Sequence, residues 1–315
     1  MGLLESLGLR ARRSQGDDAG EELFDDEFQR KLDYLALVSR RAFAGRLRAE
    51  RRTKKTGSGV EFADHREYQP GDDIRYLDWS VFQRFDKLLL RLYEEEEDLA
   101  IYFILDASVS MAFKEGGGLG RKLPYGKRIT AALAYVALAN LDRVEVVTTS
   151  DRVVSRMPET RGKARIFKIF RYLRQQTATG TTNLEDALRA FVAQHKRRGI
   201  VVLVSDLYDP AGFERGINVL RYAKFEPFVV HVVDPTDAHP KLQGDVLVYD
   251  CETGDEREVT VTAAVLERYA KAYEGYLADV ERFAATKQVP YVRADVTVPF
   301  DEMVLRVFRR GGFLR

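Results

Sequence analysis

Ala100-Ile-Tyr-Phe-Ile-Leu-Asp106-Ala-Ser108-Val-Ser110 is the stretch from which the fold of this chain can be read. An unbroken apolar run of strand length ends in an aspartate, and two serines follow at alternate positions. Such a run suits a strand covered on both faces, as in a parallel sheet. Comparable runs occur at Val144–Thr148, Ile200–Ser205 and Phe228–Val233. Between them lie segments with apolar residues three and four apart: Ile129/Ala132/Leu133/Val136, Ile166/Ile169/Phe170/Leu173 and Leu184/Ala187/Leu188/Phe191. The alternation predicts an α/β fold with a doubly wound, mostly parallel sheet.

Ligands of such sheets bind beyond the carboxyl ends of the strands. Asp106, Ser108 and Ser110 would present three hard oxygens there. Asp206 ends a second apolar run, and Gly180-Thr181-Thr182-Asn183-Leu184 precedes a predicted helix, holding a threonine hydroxyl near the same edge. Hard oxygens at close spacing suit Mg²⁺ or a similar ion.

Outward from this centre, residues 241–261 break the rhythm. Val246-Leu-Val-Tyr, a Glu-Thr-Gly-Asp turn and Arg257-Glu-Val-Thr-Val predict an inserted β-hairpin. A long helix follows, with Leu266, Tyr269, Tyr273, Tyr276, Val280 and Phe283 as a stripe expected to pack in the core. Tyr291-Val-Arg-Ala reads as the last strand and Phe300–Arg310 as the last helix. On the N-terminal side, Lys87–Tyr93 reads as a strand running into the acidic stretch Glu94–Asp98. Residues 21 to about 52 read as a helix, with Phe28, Leu32, Leu35, Val38 and Ala42 on one face. The division expected is 1–20, a mobile tail; 21–95, the N-terminal helix and, from 57, an irregular β segment; and 96–315, the α/β domain.

The 315 residues carry 50 Lys+Arg against 49 Asp+Glu, a net charge of +1, which argues against a dedicated nucleic-acid binder. Eight basic residues between Arg40 and Lys55 against one acid, Glu50, read as a solvated helix end or as a surface for RNA, a membrane or an acidic partner. With 45% hydrophobic residues the chain has ample material for a core. The single Cys251 excludes an internal disulfide and fits a reducing compartment. No secretory leader or membrane-spanning run is apparent, and the location expected is cytoplasmic. His65, His195, His231 and His239 lack zinc spacing, and His231 reads as a core histidine. Gly120–Lys127 only superficially suggests a phosphate loop: five residues separate its glycines instead of four, and Arg128 stands where Ser or Thr should be.

Asp-x-Ser-x-Ser, a threonine loop and a strand-end aspartate together resemble the metal-ion-dependent adhesion site of von Willebrand factor A domains. By that resemblance the ligands are Asp106, Ser108, Ser110, Thr182 (with Thr181 one residue off) and Asp206. The cation is Mg²⁺, with Mn²⁺ or Ca²⁺ as alternatives, and an acidic side chain of a partner fills its sixth position. The family often has Asp-Gly at the last motif, whereas Leu207 follows Asp206 here. Arg66-Glu-Tyr-Gln-Pro-Gly-Asp-Asp-Ile-Arg-Tyr-Leu-Asp-Trp79 further resembles the signature of the bacterial family called domain of unknown function 58. That likeness implies association with MoxR-type AAA+ ATPases and other von Willebrand A proteins, and a non-enzymatic adaptor role. A hydrolase using the same metal position is the alternative.

Within the signature, Asp72, Asp73 and Asp78 with Arg66, Arg75 and Arg84 read as a buried ion-pair network. The other reading makes Arg66, Tyr68, Asp72, Asp73, Arg75, Asp78 and Trp79 a docking surface, with Trp79 as its aromatic anchor.

Overall fold

The computed structural model of the chain describes residues 23–37, 52–56, 61–96, 100–113 and 120–310. Its centre is β4 (Ala100–Asp106), the strand that ends in the aspartate. β4 is flanked in parallel by β5 (Arg143–Thr149) and β7 (Ile200–Ser205). Beyond β7 lie β8 (Glu226–Val233) and β11 (Tyr291–Asp295), both parallel, and beyond β5 lies β6 (Val153–Arg161), which is antiparallel. The order β11-β8-β7-β4-β5-β6 reverses direction at β4, so loops leave the carboxyl edge to both sides of it.

Side chains alternate along the strands, and each face of the sheet has its own core. Phe103, Leu105, Val144, Val146, Val202, Val204, Phe228 and Val230 face one layer. Helices Lys122–Ala139, Ile166–Gln175 and Phe300–Arg310 cover that side. Ile104, Val147, Val201, Leu203 and Val229 face the other, beneath helices Leu184–Gln194, Phe213–Tyr222 and Ala263–Thr286. Helix Lys122–Ala139 is buried nearly all round, which its alanines permit. At Gly126 it passes so near the sheet that an added Cβ would lie 3.2 Å from Leu105 Cδ1. This glycine serves close packing, in keeping with the rejection of a phosphate loop.

Residues 26–37 are helical and join the α/β core through Phe24, Phe28, Leu32 and Leu35. Phe28 lies 4.6 Å from the Phe300 ring and Phe24 stacks 4.6 Å from Phe170, centroid to centroid. The helix of the 21–95 stretch thus shares the core of the α/β layer. The helix expected to reach Arg52 and to carry Lys54 and Lys55 is corrected at its end. Arg52–Thr56 is a strand, β1. It pairs antiparallel with β3 (Leu89–Glu96), and the register sets Arg52 opposite Glu96 and Lys54 opposite Glu94. The acidic run is thus partly strand. β2 (Glu61–Glu67) completes this small antiparallel sheet on the other side of β3. The tail at 1–20 and the basic residues Arg40–Arg51 lie outside the described residues.

The inserted hairpin forms as β9 (Gly244–Tyr249) and β10 (Glu256–Val261). The stripe of helix Ala263–Thr286 joins the core only in part, with Val280 inside it and Tyr276 and Phe283 packed against it. Of that stripe only Val280 is fully buried, and Tyr269 is 43% exposed. Its hydroxyls go to loops instead: Tyr276 donates to the Leu207 carbonyl at 2.8 Å and Tyr269 to that of Asp237 at 2.7 Å. The helix is a brace for the sheet's carboxyl edge.

Candidate functional site at the carboxyl edge of the sheet

Asp106 and Asp206 end neighbouring parallel strands, so both carboxylates arrive at one edge, and both are buried. Asp106 accepts from the Ser108 N–H at 2.9 Å, which folds the loop back toward its own carboxylate, and from the Ser205 hydroxyl at 2.6 Å. The Ser108 and Ser110 hydroxyls lie 3.0 Å apart, and Ser110 donates to Asp206 at 3.3 Å. Four of the five residues expected from sequence form one connected polar chain. Burial, and then the Asp206 charge, push the Asp106 carboxyl up to about 7.

The threonine loop is stitched to the same place through its backbone: Thr179 N–H donates to Ala107 O at 2.8 Å and Val109 N–H to Gly180 O at 3.1 Å. Gly180 has φ of 71°, a conformation that favours glycine. Thr182 is buried there, and both of its polar groups are taken by one side chain. Its N–H donates to Glu252 Oε2 at 2.7 Å and its hydroxyl to Glu252 Oε1 at 2.6 Å.

Lys122, at the start of its helix, is buried with its ammonium 2.8 Å from Asp206 and 3.1 Å from Asp237. It also lies 4.6 Å from the centroid of the Tyr208 ring. Burial alone would lower the Lys122 pKa, but the two carboxylates outweigh that and raise it. At this edge Asp206 and Asp237 share the Lys122 ammonium, while Asp106 is held by hydroxyl and backbone donors. Sequence reading missed Ser205, Lys122, Asp237 and Glu252. Ser205 was legible as a hydroxyl beside Asp206, whereas the other three come from remote segments without a local signal.

Two of the expected ion pairs form in the signature segment, but toward solvent and not as one buried network, and Asp78 takes other partners. Arg66 binds Asp72 at 2.8 Å and Arg75 binds Asp73 at 2.6 Å, both toward solvent. Asp73 also caps the short helix Ile74–Tyr76. Asp78 caps helix Trp79–Phe85 through the Ser80 and Val81 N–H groups, and joins β2 to β3 by meeting His65 and Arg91, each at 3.0 Å. Tyr68 is half-buried, with its N–H on Leu88 O at 2.9 Å. Trp79 is exposed, edge-on to Phe82, near the exposed Ile74 and Phe85 in sequence. His231 is a core residue, its Nδ1 2.9 Å from the Tyr291 hydroxyl, and His195 meets Glu145 at 3.1 Å.

A doubly wound sheet with two strand-end carboxylates and a serine pair converging at its topological switch defines an α/β protein with a polar site at its carboxyl edge. This chain belongs to the family described as protein of unknown function DUF58, which matches residues 64–276. It is similar to the uncharacterized protein Rv1480 of Mycobacterium tuberculosis, 26% identical over 264 residues that cover 83% of this chain and 82% of that one. The uncharacterized protein MAV169 of Mycobacterium avium is 35% identical over 100 residues, 32% of this chain and 59% of that one. Among solved structures, the conserved hypothetical protein BatB from Bacteroides thetaiotaomicron has a TM-score of 0.42 at 14% identity, covering 68% of this chain and 98% of that one. No helix among the described residues is long and apolar enough to cross a membrane.

Proposed function

We propose that this chain is a non-enzymatic adaptor of von Willebrand A type that binds protein partners through a divalent cation at the carboxyl edge of its sheet. The observation that carries the reading is the convergence of Asp106, Ser108, Ser110 and Asp206 into one contact chain, on loops from adjacent parallel strands. The strand order, with a central first strand and one antiparallel edge strand, supports the same reading.

The donor chemistry fits a hard cation. No group of three or more His, Cys, Asp or Glu side chains among the described residues is arranged for a metal. The set here is instead two carboxylates with hydroxyls, the oxygen mixture that suits Mg²⁺, with Mn²⁺ or Ca²⁺ as alternatives. Burial and the neighbouring Asp206 push the Asp106 carboxyl toward its neutral form, and a bound cation would restore its charged form. In this reading Ser108, Ser110 and Thr182 supply hydroxyl ligands, and the two aspartates hold the cation directly or through water. When bound, the ion supplies a Lewis-acidic position for a partner's carboxylate.

Asp209 and His65, the two candidates for a hydrolytic base, are otherwise engaged, which favours the adaptor over the hydrolase. Asp209 accepts from the Leu184 and Ala211 N–H groups, both at 2.8 Å, and His65 is held by Asp78. The family likeness supports a MoxR-type AAA+ ATPase and other von Willebrand A proteins as associates, in the cytoplasm. Trp79 and its neighbours are the further contact surface of this proposal.

The test is co-purification of the chain with the MoxR-type ATPase of its own organism, in Mg²⁺ and in chelator, beside Asp106→Ala. Capture by the Mg²⁺-loaded wild type alone is expected. Equal capture in all three samples would exclude the cation as the bridge.

A further inference from the structure

Glu252 stands at the turn of the β9–β10 hairpin, 70 residues from Thr182 in sequence, yet both of its carboxylate oxygens are spent on that one residue. The hairpin pairs with no other strand among the described residues. Its strands are largely exposed, with Leu247, Val248 and Tyr249 at 55%, 41% and 59%. The turn itself is built rigidly. Asp250 accepts from the Glu252 and Thr253 N–H groups at 2.8 and 2.9 Å, and Gly254 takes a φ of 76° while its N–H donates to Asp250 O at 2.9 Å. A turn organised in this way projects Glu252 as a fixed arm from an otherwise exposed ribbon.

The charge at its destination is the informative part. The Thr182 loop is bonded through its backbone to Ala107 and Val109, so Glu252 brings a further carboxylate beside the loop that carries Asp106, Ser108 and Ser110, where added like charge is unfavourable. A divalent cation removes that penalty, because it gives the extra carboxylate a counter-charge at the hydroxyl to which Glu252 is bonded.

Resting on the cation-site reading above, we infer that Glu252 is the chain's own carboxylate ligand for the cation in the partner-free protein. It holds the place that an acidic partner side chain must take. The hairpin turn and the partner then compete for one position, and apparent partner affinity falls with the fraction of molecules whose position is filled from within.

The test uses Mn²⁺ as the probe on the full chain: wild type, Glu252→Gln and Asp106→Ala. Calorimetry reads the affinity, and amide hydrogen exchange reads residues 250–254 and Thr182. Wild type should bind one Mn²⁺ and show slowed exchange across 250–254. Glu252→Gln, which keeps the shape and one acceptor oxygen, should bind about tenfold more weakly with no slowing there, and Asp106→Ala should not bind. If Glu252→Gln binds as tightly as wild type and Mn²⁺ leaves exchange at 250–254 unchanged in wild type, the inference is overturned while the cation site stands. If wild type binds no Mn²⁺, the cation site and the inference fall together.

Discussion

Leu207, directly after Asp206, has φ of 60°, in the left-handed region where a side chain costs about 1 kcal/mol. A glycine at this point would avoid that cost. Here the leucine is held because it is fully buried, its N–H donates to Ser205 Oγ at 2.8 Å, and its carbonyl accepts from Tyr276. The departure from Asp-Gly therefore leaves the Asp206 loop folded and anchors it in the core. Replacing Leu207 with glycine removes packing worth about 2–5 kcal/mol but relieves the strain, whereas alanine loses the packing and keeps the strain. Urea unfolding should rank wild type above Leu207→Gly, and Leu207→Gly above Leu207→Ala by about 1 kcal/mol. An alanine variant more stable than the glycine variant would contradict this account of the loop. Asp106, Ser108, Ser110 and Asp206 were legible in the sequence because strand ends are a local property and the parallel sheet brings such ends together. Lys122 and Glu252 were not, since their contacts to Asp206 and Thr182 span 84 and 70 residues, and no local pattern encodes them.

At the scale of elements, the continuous apolar strands, the hairpin and the final helix were readable from periodicity. β6 was not. Val153-Val-Ser-Arg-Met-Pro-Glu-Thr-Arg161 is an edge strand, half solvated along its length, and Pro158 interrupts it beside a register shift. A search for unbroken apolar runs passes over such a strand. β1 was hidden for a different reason: its basic residues suit a helix end by charge, and only pairing with β3 reveals a strand. The 26–37 helix followed its apolar spacing, but its partner could not be inferred, because any apolar face will satisfy an amphipathic helix. Its place in the α/β core makes a firm demand. Phe28→Ala should cost about 3–5 kcal/mol in equilibrium unfolding, since Phe28 is buried among Phe24, Phe170 and Phe300. A loss below about 1 kcal/mol, the size expected for a surface position, would mean that the helix is not part of that core.

Taken as a whole, the molecule places its densest buried charge at the carboxyl edge of the sheet. Long-range devices build that edge: a helix start supplies Lys122, the tyrosine helix braces the Asp206 loop, and a detached hairpin reaches Thr182. Simple core stability does not require this arrangement, because buried ionic groups commonly cost more in desolvation than they return. The proposed cation and partner carboxylate would give this arrangement its use. The most direct measurement is calorimetric titration of Mg²⁺ into metal-stripped wild type, Asp106→Ala and Ser110→Ala. The account predicts saturable binding of one ion to wild type, with binding weakened in Ser110→Ala and abolished in Asp106→Ala. Absence of binding to wild type, or equal binding by all three proteins, would contradict it.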